Sequence, residues 1–266
     1  MTQASFYLDH FYFHDQDHKF RESLLQKGYF NYEPVTRHPG GLTCKFLAFE
    51  NPARGISSPY LEFLHIDPSS TEKYDVGLSL GSKTNLDEIF KNNEAIKKKK
   101  ATFFHKNYEW EKYPNERKTG WNFIMFEENP PIKDLYFWVS EYEVDPSVPP
   151  RVKPDIIHAN STRGIVGCVL LLDEAEIASL GEIMGVYYAN NKFTLASGYE
   201  IQVLSRDSEF FKDNKYNLPA ILLECESLET YISVAKPDEV REFNGIKYAV
   251  IKNQSIGWDL YTKEKI

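Results

Sequence analysis

The chain has 266 residues, enough for one large domain or two small ones. Hydrophobic residues make up 42% of it and charged residues 26%, an ordinary globular composition that excludes a disordered or collagen-like chain. Aromatic residues reach 15%, which favours a strand-rich fold with large side chains in a core or a pocket. The formal net charge is −8, so a nucleic-acid partner is not expected.

Neither a membrane span nor a secretory leader is indicated. No apolar run approaches the roughly 18 residues that a spanning helix needs, and residues 1–20 lack a basic region followed by a long apolar stretch. Cys44, Cys168 and Cys225 are odd in number and far apart, with no CxxC motif. The sequence therefore predicts a cytoplasmic protein in a reducing compartment, with no membrane partner.

A unit of one strand, one helix and further strands recurs four times along the chain. Alternating side chains predict the strands, and apolar residues three and four positions apart predict the helices. The first strand, Phe6–Phe13, is expected to turn His10 and Tyr12 to one face and Asp9 to the other. Asp15 or Asp17 is expected to cap the helix that follows.

The predicted elements of the first two units are strands at 6–13, 42–49 and 60–66 with a helix ending at Gly28, then strands at 76–80, 103–110, 121–126 and 135–143 with a helix at 85–100. Those of the last two are strands at 165–172, 193–196 and 199–204 with a helix at 174–184, then strands at 220–225, 246–251 and 256–261 with a short helix within 228–240. The class is therefore α+β, built from four βαβββ modules.

A proline-rich segment separates the second and third modules. Residues 145–154 contain four prolines, which are incompatible with a helix or a central strand. We therefore expect an N-terminal half at 1–146 that carries the functional pocket, and a shorter C-terminal half at 154–266 with a structural or homodimer-forming role. Whether modules pair one with two and three with four, or exchange partners, stays open.

Three short segments resemble the glyoxalase-like domain family of the vicinal oxygen chelate superfamily. They are Tyr7–Phe11 (YLDHF), Arg37–Thr43 (RHPGGLT) and Tyr60–Leu64 (YLEFL), with looser similarity in Trp121–Phe126 and in His158–Gly167. The resemblance implies that each pair of modules forms a curved, half-open mixed sheet around a pocket. It also implies metal ligands on the first and fourth strands of a module.

Carried onto this sequence, the ligand positions are His10 and Glu62, which the resemblance makes both catalytic and metal-binding. The resemblance implies one divalent ion, Zn, Ni, Mn or Fe, with His38 or Glu141 as a further ligand. From the residues alone, the same two side chains could equally be an acid–base pair or a buried hydrogen-bonded pair. No P-loop or strand-linked GxGxxG motif is present, so no nucleotide cofactor is expected.

Other histidines are weaker candidates. His14 and His18 are four residues apart but stand at a helix start, where a solvated role is favoured over a metal clamp. His65 is expected on the opposite face of its strand from Glu62, outside the pocket. The expected contacts to a small-molecule ligand are His38, Tyr12, Trp121 and Trp138.

Two functions follow. The first is a divalent-metal-dependent lyase or isomerase that acts on a small oxygenated organic molecule. The second is a metal-free protein that sequesters a small molecule in an aromatic pocket. The second module favours the latter, because its first strand offers only Gly77 or Ser79 at the ligand position and its fourth strand places aromatic residues where Glu62 aligns.

Overall fold

The computed structural model describes residues 6–15, 18–30, 32–37, 43–49, 58–65, 75–107, 118–147, 156–212, 214, 216–253 and 258–265. Within these residues the chain forms sixteen strands and five α-helices. The first half contains β1 (Phe6–His14), α1 (Lys19–Gln26), β2 (Tyr32–Arg37), β3 (Thr43–Ala48), β4 (Tyr60–His65), β5 (Val76–Ser82), α2 (Leu86–Asn92), α3 (Glu94–Lys98), β6 (Thr102–Asn107), β7 (Lys118–Met125) and β8 (Tyr136–Val144).

The second half repeats this order of strands, and every strand except its first is shorter than its counterpart. It contains β9 (Thr162–Leu171), α4 (Glu174–Met184), β10 (Tyr188–Ala189), β11 (Lys192–Thr194), β12 (Glu200–Leu204), β13 (Ala220–Cys225), α5 (Leu228–Ala235), β14 (Glu239–Phe243), β15 (Ile246–Ile251) and β16 (Asp259–Glu264). The predicted α+β class with four βαβββ modules is confirmed.

The strands form two eight-stranded mixed sheets. Sheet A has the order β2-β3-β4-β1-β5-β8-β7-β6, and sheet B has the order β10-β11-β12-β9-β13-β16-β15-β14. In sheet A the first strands of two modules, β1 and β5, pair antiparallel at the centre, and each lies parallel to the fourth strand of its own module. Sheet B repeats this arrangement with β9 and β13. Modules one and two therefore pair with each other, as do modules three and four.

Local signals explain the best-predicted helix. Asp173 accepts the backbone N–H of Glu176, and the Glu176 carboxylate accepts the backbone N–H of Asp173, so a capping box begins α4 at the predicted residue. Gly185 ends α4 with φ 63°, a left-handed conformation that glycine adopts without strain.

Two helix predictions need correction. The predicted helix at 85–100 is divided at Asn93, which is extended and accepts the backbone N–H groups of Ala95 and Ile96. Asn93 also donates to the carbonyl of Ile183 in α4, so a tertiary contact favours the break. At α1, Asp15 accepts the backbone N–H of Arg21 as a cap, but His18 is the residue that precedes the helix.

One hydrophobic core joins the two sheets. Phe13 of β1 stacks on Trp258, which precedes β16, with ring centroids 3.9 Å apart. The Tyr29 and Tyr231 hydroxyls are 2.7 Å apart, and they link the segment after α1 to α5. No helix in the described residues is long and apolar enough to cross a membrane. Cys44, Cys168 and Cys225 are buried free thiols.

Candidate metal and substrate site

A β-bulge in β1 builds the centre of the site. Leu8 pairs with Leu80 of β5, and His10 pairs with the adjacent Ser79, so Asp9 is an extra residue in β1. A bulge lets consecutive side chains reach the same region, whereas a regular strand would turn them to opposite faces. The Asp9 carboxylate accordingly lies beside the His10 ring, with Oδ2 2.8 Å from Nδ1. The prediction that Asp9 faces away from His10 is therefore wrong.

Glu62 approaches the same imidazole from β4. Tyr12 of β1 pairs with Glu62 in parallel register, and His10 pairs with Tyr60. The Glu62 Oε2 atom lies 3.1 Å from His10 Nε2. The structure thus brings the two predicted catalytic and metal-binding side chains into direct contact, with both side chains largely removed from solvent.

His10 lies between two carboxylates. Burial alone lowers the pKa of its imidazole, but the charges and hydrogen bonds of Asp9 and Glu62 outweigh that effect and raise the pKa to about 9. When the ring is protonated, the three side chains together carry one net negative charge. When it is neutral, they carry two. The site is therefore suited to a cation.

Two hydroxyl groups bond to the same oxygen of Asp9 that contacts His10. Oδ2 accepts hydrogen bonds from Ser79 at 3.2 Å and from Tyr142 at 3.1 Å. Ser79 in turn lies 3.1 Å from the Ser140 hydroxyl, and the Tyr142 hydroxyl lies 3.3 Å from that of Tyr60. Asp9 is therefore held by several partners, and it can fix the orientation of the His10 ring.

Aromatic rings enclose the imidazole. Tyr60 stacks on His10 with centroids 4.7 Å apart, and Trp138 meets it edge-on at 5.2 Å. Tyr12 lies against Trp138 and directly over Gly77, where an added Cβ would come within 2.1 Å of the Tyr12 ring. The absence of a side chain at Gly77 is what lets these rings close over β5. We call this face of sheet A, which carries His10, Glu62 and Trp138, the site face.

The remaining predicted residues have different outcomes. Trp121 is half-buried and lies beside Tyr142, with ring centroids 6.5 Å apart, further along the site face. His38 lies outside the described residues. Glu141 faces the other way and accepts the backbone N–H of Leu86 at the start of α2, so it is not beside His10 and cannot act as the third ligand in this conformation.

The other histidines do not join the site. His14 lies 3.8 Å from a carboxylate oxygen of Asp75, while His18 contacts His65 with ring centroids 4.9 Å apart. His14 and His18 therefore do not form a clamp. His65 lies on the face opposite Glu62, as predicted.

The approximate twofold symmetry of sheet A identifies the equivalent positions in module two. Ser79 pairs with His10 across the centre, so it is the first-strand equivalent. Glu62 lies two residues beyond the partner of His10 on β4, and Ser140 lies two residues beyond the partner of Ser79 on β8. The expectation of aromatic residues at this fourth-strand position is wrong. The pairing register places Ser140 there, and Trp138 lies two residues earlier on the same face of β8.

The donor set of the site fits part of a metal centre. Two ligand atoms about 2.1 Å from one ion, at roughly right angles, lie about 3 Å apart, and His10 Nε2 and Glu62 Oε2 have this separation. Asp9 supplies the carboxylate that commonly orients a metal-binding histidine through its other nitrogen. In the described ranges, however, no group of three or more His, Cys, Asp or Glu side chains is placed to hold an ion. The described residues thus provide two ligands.

Asp9 was not predicted to belong to the site, and Ser79 and Tyr142 were not predicted to be its hydrogen-bond donors. Asp9 carried the clearest signal, since Asp9-His10 is a polar pair within a strand of aromatic and apolar residues. The two hydroxyl donors gave no comparable signal, because only the pairing of β1, β5 and β8 brings them to Asp9.

Solved structures share this architecture over nearly the whole chain. Catechol 2,3-dioxygenase is 14% identical, with 97% of this chain and 86% of that chain covered and a TM-score of 0.54. A mutant of 4-hydroxymandelate synthase from Streptomyces coelicolor is 7% identical, with 98% and 92% covered and a TM-score of 0.58. The Mn(II)-bound glyoxalase from Novosphingobium aromaticivorans is 12% identical, with 99% and 82% covered and a TM-score of 0.57.

These proteins are members of the vicinal oxygen chelate superfamily. At such identities the likeness establishes the fold, and this chain has the vicinal oxygen chelate fold that the sequence resemblance implied. No protein-family model matches the sequence, and no curated protein matches it.

Proposed function

We propose that this protein, on its vicinal oxygen chelate fold, is a divalent-metal-dependent enzyme of the lyase or isomerase kind that acts on a small oxygenated organic molecule. The observation that carries the proposal is the 3.1 Å separation of His10 Nε2 and Glu62 Oε2, with Asp9 held against the opposite ring nitrogen. A buried pair of carboxylates flanking one imidazole has excess negative charge, which a divalent ion would balance.

The bound ion would polarise a carbonyl or a pair of vicinal oxygens and so stabilise negative charge on the substrate oxygen. The protein side chains would orient the ligand atoms and transfer the proton. Asp9 would hold one proton of His10 on Nδ1, so that Nε2 becomes the atom that binds the ion once the ion has displaced the second proton. The Glu62 carboxylate would accept a proton from the carbon beside the carbonyl, a role supported by its contact with His10 Nε2.

The aromatic side chains would exclude water and orient the substrate. Tyr60 and Trp138 contact two sides of the His10 ring, and Tyr12 packs behind Trp138. A low-dielectric enclosure strengthens each charge interaction at the reacting atoms. We expect Trp121 to contact the more distant part of the substrate, because it lies further along the same face.

A metal-free binding function is the second candidate. It is favoured by module two, where Ser79 and Ser140 occupy the positions equivalent to His10 and Glu62. These two serines hydrogen-bond to each other. In that case the His10 ring would remain protonated between its two carboxylates, and the enclosure would hold an apolar ligand.

The decisive experiment combines metal titration with proton exchange. Mn²⁺ binding is measured for the wild type and for Glu62→Gln, with Glu224→Gln as a matched control, because Glu224 is a buried carboxylate of sheet B. The same proteins are incubated in D₂O with a panel of α-hydroxycarbonyl compounds, and deuterium incorporation at the carbon beside the carbonyl is followed by NMR.

The proposal predicts Mn²⁺ binding and deuterium incorporation in the wild type and in Glu224→Gln, and loss of both in Glu62→Gln. The proposal would be overturned if the wild type bound no Mn²⁺. If added apolar ligands then quenched its Trp fluorescence, the metal-free function would be favoured.

A further inference from the structure

A second polar cluster lies on the opposite face of sheet A, beside the start of α1. Arg21 is only 7% exposed, and its Nε and Nη1 atoms are fully buried. In the part of the chain that the structure describes, neither atom has a hydrogen-bond partner. Burying an ionised guanidinium without partners is costly, so such a group calls for a specific explanation, such as a bound ion.

Three further basic or titratable side chains belong to the same region, and the Arg21 charge acts on the pKa of two of them, His18 and Lys45. His18 and His65 are in ring contact, with centroids 4.9 Å apart. Lys45 of β3 is paired with Phe63 of β4, two residues before His65, so its side chain projects on the same face as His65. We call Arg21, His18, His65 and Lys45 the α1 basic cluster.

The charges of the cluster influence one another. Burial lowers the pKa of His18, and the charges of Lys45 and His65 lower it further. Burial likewise lowers the pKa of Lys45, and the Arg21 charge adds to that effect. Several basic side chains are therefore close enough for their charges to act on one another, in addition to the larger effect of burial.

The acidic neighbours are Asp15 and the exposed Glu22, whose charges act in the opposite direction on Lys45. The Asp15 Oδ2 atom is engaged by the backbone N–H of Arg21. Over the described residues no ion pair joins the Arg21 guanidinium to a carboxylate. The N-terminal end of α1, eight residues long, adds its own partial positive charge next to His18.

We infer that the α1 basic cluster is a binding site for a phosphate group, with Arg21 as its central donor. A guanidinium presents its N–H groups in a planar fork that matches two oxygens of a phosphate. A helix N-terminus with adjacent basic side chains is a common setting for such an anion. Phe63 and His65 alternate with Glu62 along β4, so this site faces away from the proposed metal site and does not depend on it.

The test is calorimetric titration of the full-length protein with sodium phosphate and with glycerol 3-phosphate, at constant ionic strength set by chloride. Arg21→Met, Lys45→Met and the control Arg163→Met are compared with the wild type. Arg163 is a suitable control because its charge is already paired with Glu226 at the surface. Thermal unfolding of each variant without phosphate is recorded in parallel.

We expect saturable binding by the wild type and by Arg163→Met, and at least roughly tenfold weaker binding by Arg21→Met, since a charge-assisted hydrogen bond is lost. Lys45→Met should weaken binding less. Without phosphate, Arg21→Met should unfold at the same temperature as the wild type or higher, because the substitution removes two buried polar nitrogens that have no hydrogen-bond partner. Tighter binding of glycerol 3-phosphate than of phosphate would assign the site to a phosphate ester, and the reverse to free phosphate.

Two results would overturn the inference. One is the absence of saturable binding of either compound by the wild type. The other is equal binding by Arg21→Met and the wild type. If Arg21→Met does not fold, Lys45→Met carries the test, since Lys45 is not buried: unchanged phosphate affinity in that variant would count against the site.

Discussion

The site face of sheet A and the equivalent face of sheet B have the same backbone plan but opposite chemistry. In β1 the bulge residue is Asp9, and His10 follows it. In β9 the bulge falls at Val166, and Gly167 follows it. Gly167 pairs with Leu222 and Glu200 in the way that His10 pairs with Ser79 and Tyr60, so the two positions are equivalent.

The register extends this equivalence to the rest of the site. In sheet A, Glu62 lies two residues beyond Tyr60, the β4 partner of His10. In sheet B, Gln202 lies two residues beyond Glu200, the β12 partner of Gly167. On the neighbouring central strand, His10 pairs with Ser79 of β5, whereas Gly167 pairs with Leu222 of β13. At these equivalent positions, all of which the structure describes, sheet B therefore has no counterpart of the carboxylate–imidazole contacts of sheet A.

The face of sheet B is filled instead by its own side chains. Val166, Leu222 and Tyr261 belong to one buried cluster with Phe211 and Phe243. A Cβ at Gly167 would lie 2.0 Å from the carbonyl oxygen of Glu200, so a histidine there would force β9 and β12 apart. The residues at a few equivalent positions therefore determine whether such a face is filled by apolar side chains or carries a polar site.

The largest expected effect comes from making sheet A resemble sheet B. His10→Gly reproduces the residue found at Gly167 and removes one of two proposed ligands. We expect Mn²⁺ affinity to fall by at least about 100-fold, more than the loss of an outer partner would cause. Electron paramagnetic resonance of free Mn²⁺ measures this directly. Unchanged affinity would remove His10 from the metal site.

A substitution in the buried cluster of sheet B tests whether that face contributes only to stability. Phe211→Ala opens a cavity among buried aromatic side chains and should lower the free energy of unfolding by about 3–5 kcal/mol. Urea denaturation measures the loss, with the exposed Phe104→Ala as control. Mn²⁺ affinity should be unchanged. A loss of metal binding in Phe211→Ala would contradict the division of roles.

The junction between the two sheets has its own pH dependence through His158. This buried imidazole accepts the backbone N–H of Phe30 and donates to the carbonyl of Ala48, so it is neutral in the folded state. Burial is the largest influence and lowers its pKa to about 4, although the hydrogen bond to Ala48 acts in the opposite direction. Below about pH 6.5 the unfolded chain takes up a proton that the folded chain does not.

Stability should therefore fall as the pH drops from about 7.5 towards 4, by about 3 kcal/mol from this group, and His158 should contribute almost no slope above about pH 7.5. Urea denaturation of the wild type and of His158→Gln across this range checks the prediction. The variant should show a flatter dependence. Parallel slopes for the two proteins would mean that His158 is not the titrating group.

The smallest expected effect is at the bulge. Asp9→Asn keeps the shape of the side chain but weakens its hold on His10 Nδ1, so Mn²⁺ affinity should fall by roughly 10- to 100-fold. Val166→Ala, at the equivalent position of sheet B, should leave Mn²⁺ affinity unchanged. An Asp9→Asn variant with wild-type affinity would show that the carboxylate does not orient the ligand.

Elements with strong local signals were predictable from the sequence. The helix at 174–184 is confirmed because its capping box and terminal Gly185 are encoded within the segment itself. His10 and Glu62 could be identified only with the family resemblance, since neither residue is unusual in isolation.

The features that could not be predicted depend on contacts distant in sequence. The bulge at Asp9 arises from pairing between β1 and β5, so the alternation of side chains alone assigned Asp9 to the wrong face. Ser140 could not be recognised as the equivalent of Glu62, because the register of β5 on β8 fixes that position. The break at Asn93 likewise involves a hydrogen bond to α4.

The central claim is that the site face holds a divalent ion between His10 and Glu62. The most direct measurement is elemental analysis of the protein purified without an affinity tag or added metal, repeated for His10→Ala. The account predicts near-stoichiometric Zn, Ni, Mn or Fe in the wild type and its disappearance in the variant. A wild type that remains metal-free, even after incubation with each of these ions, would contradict it.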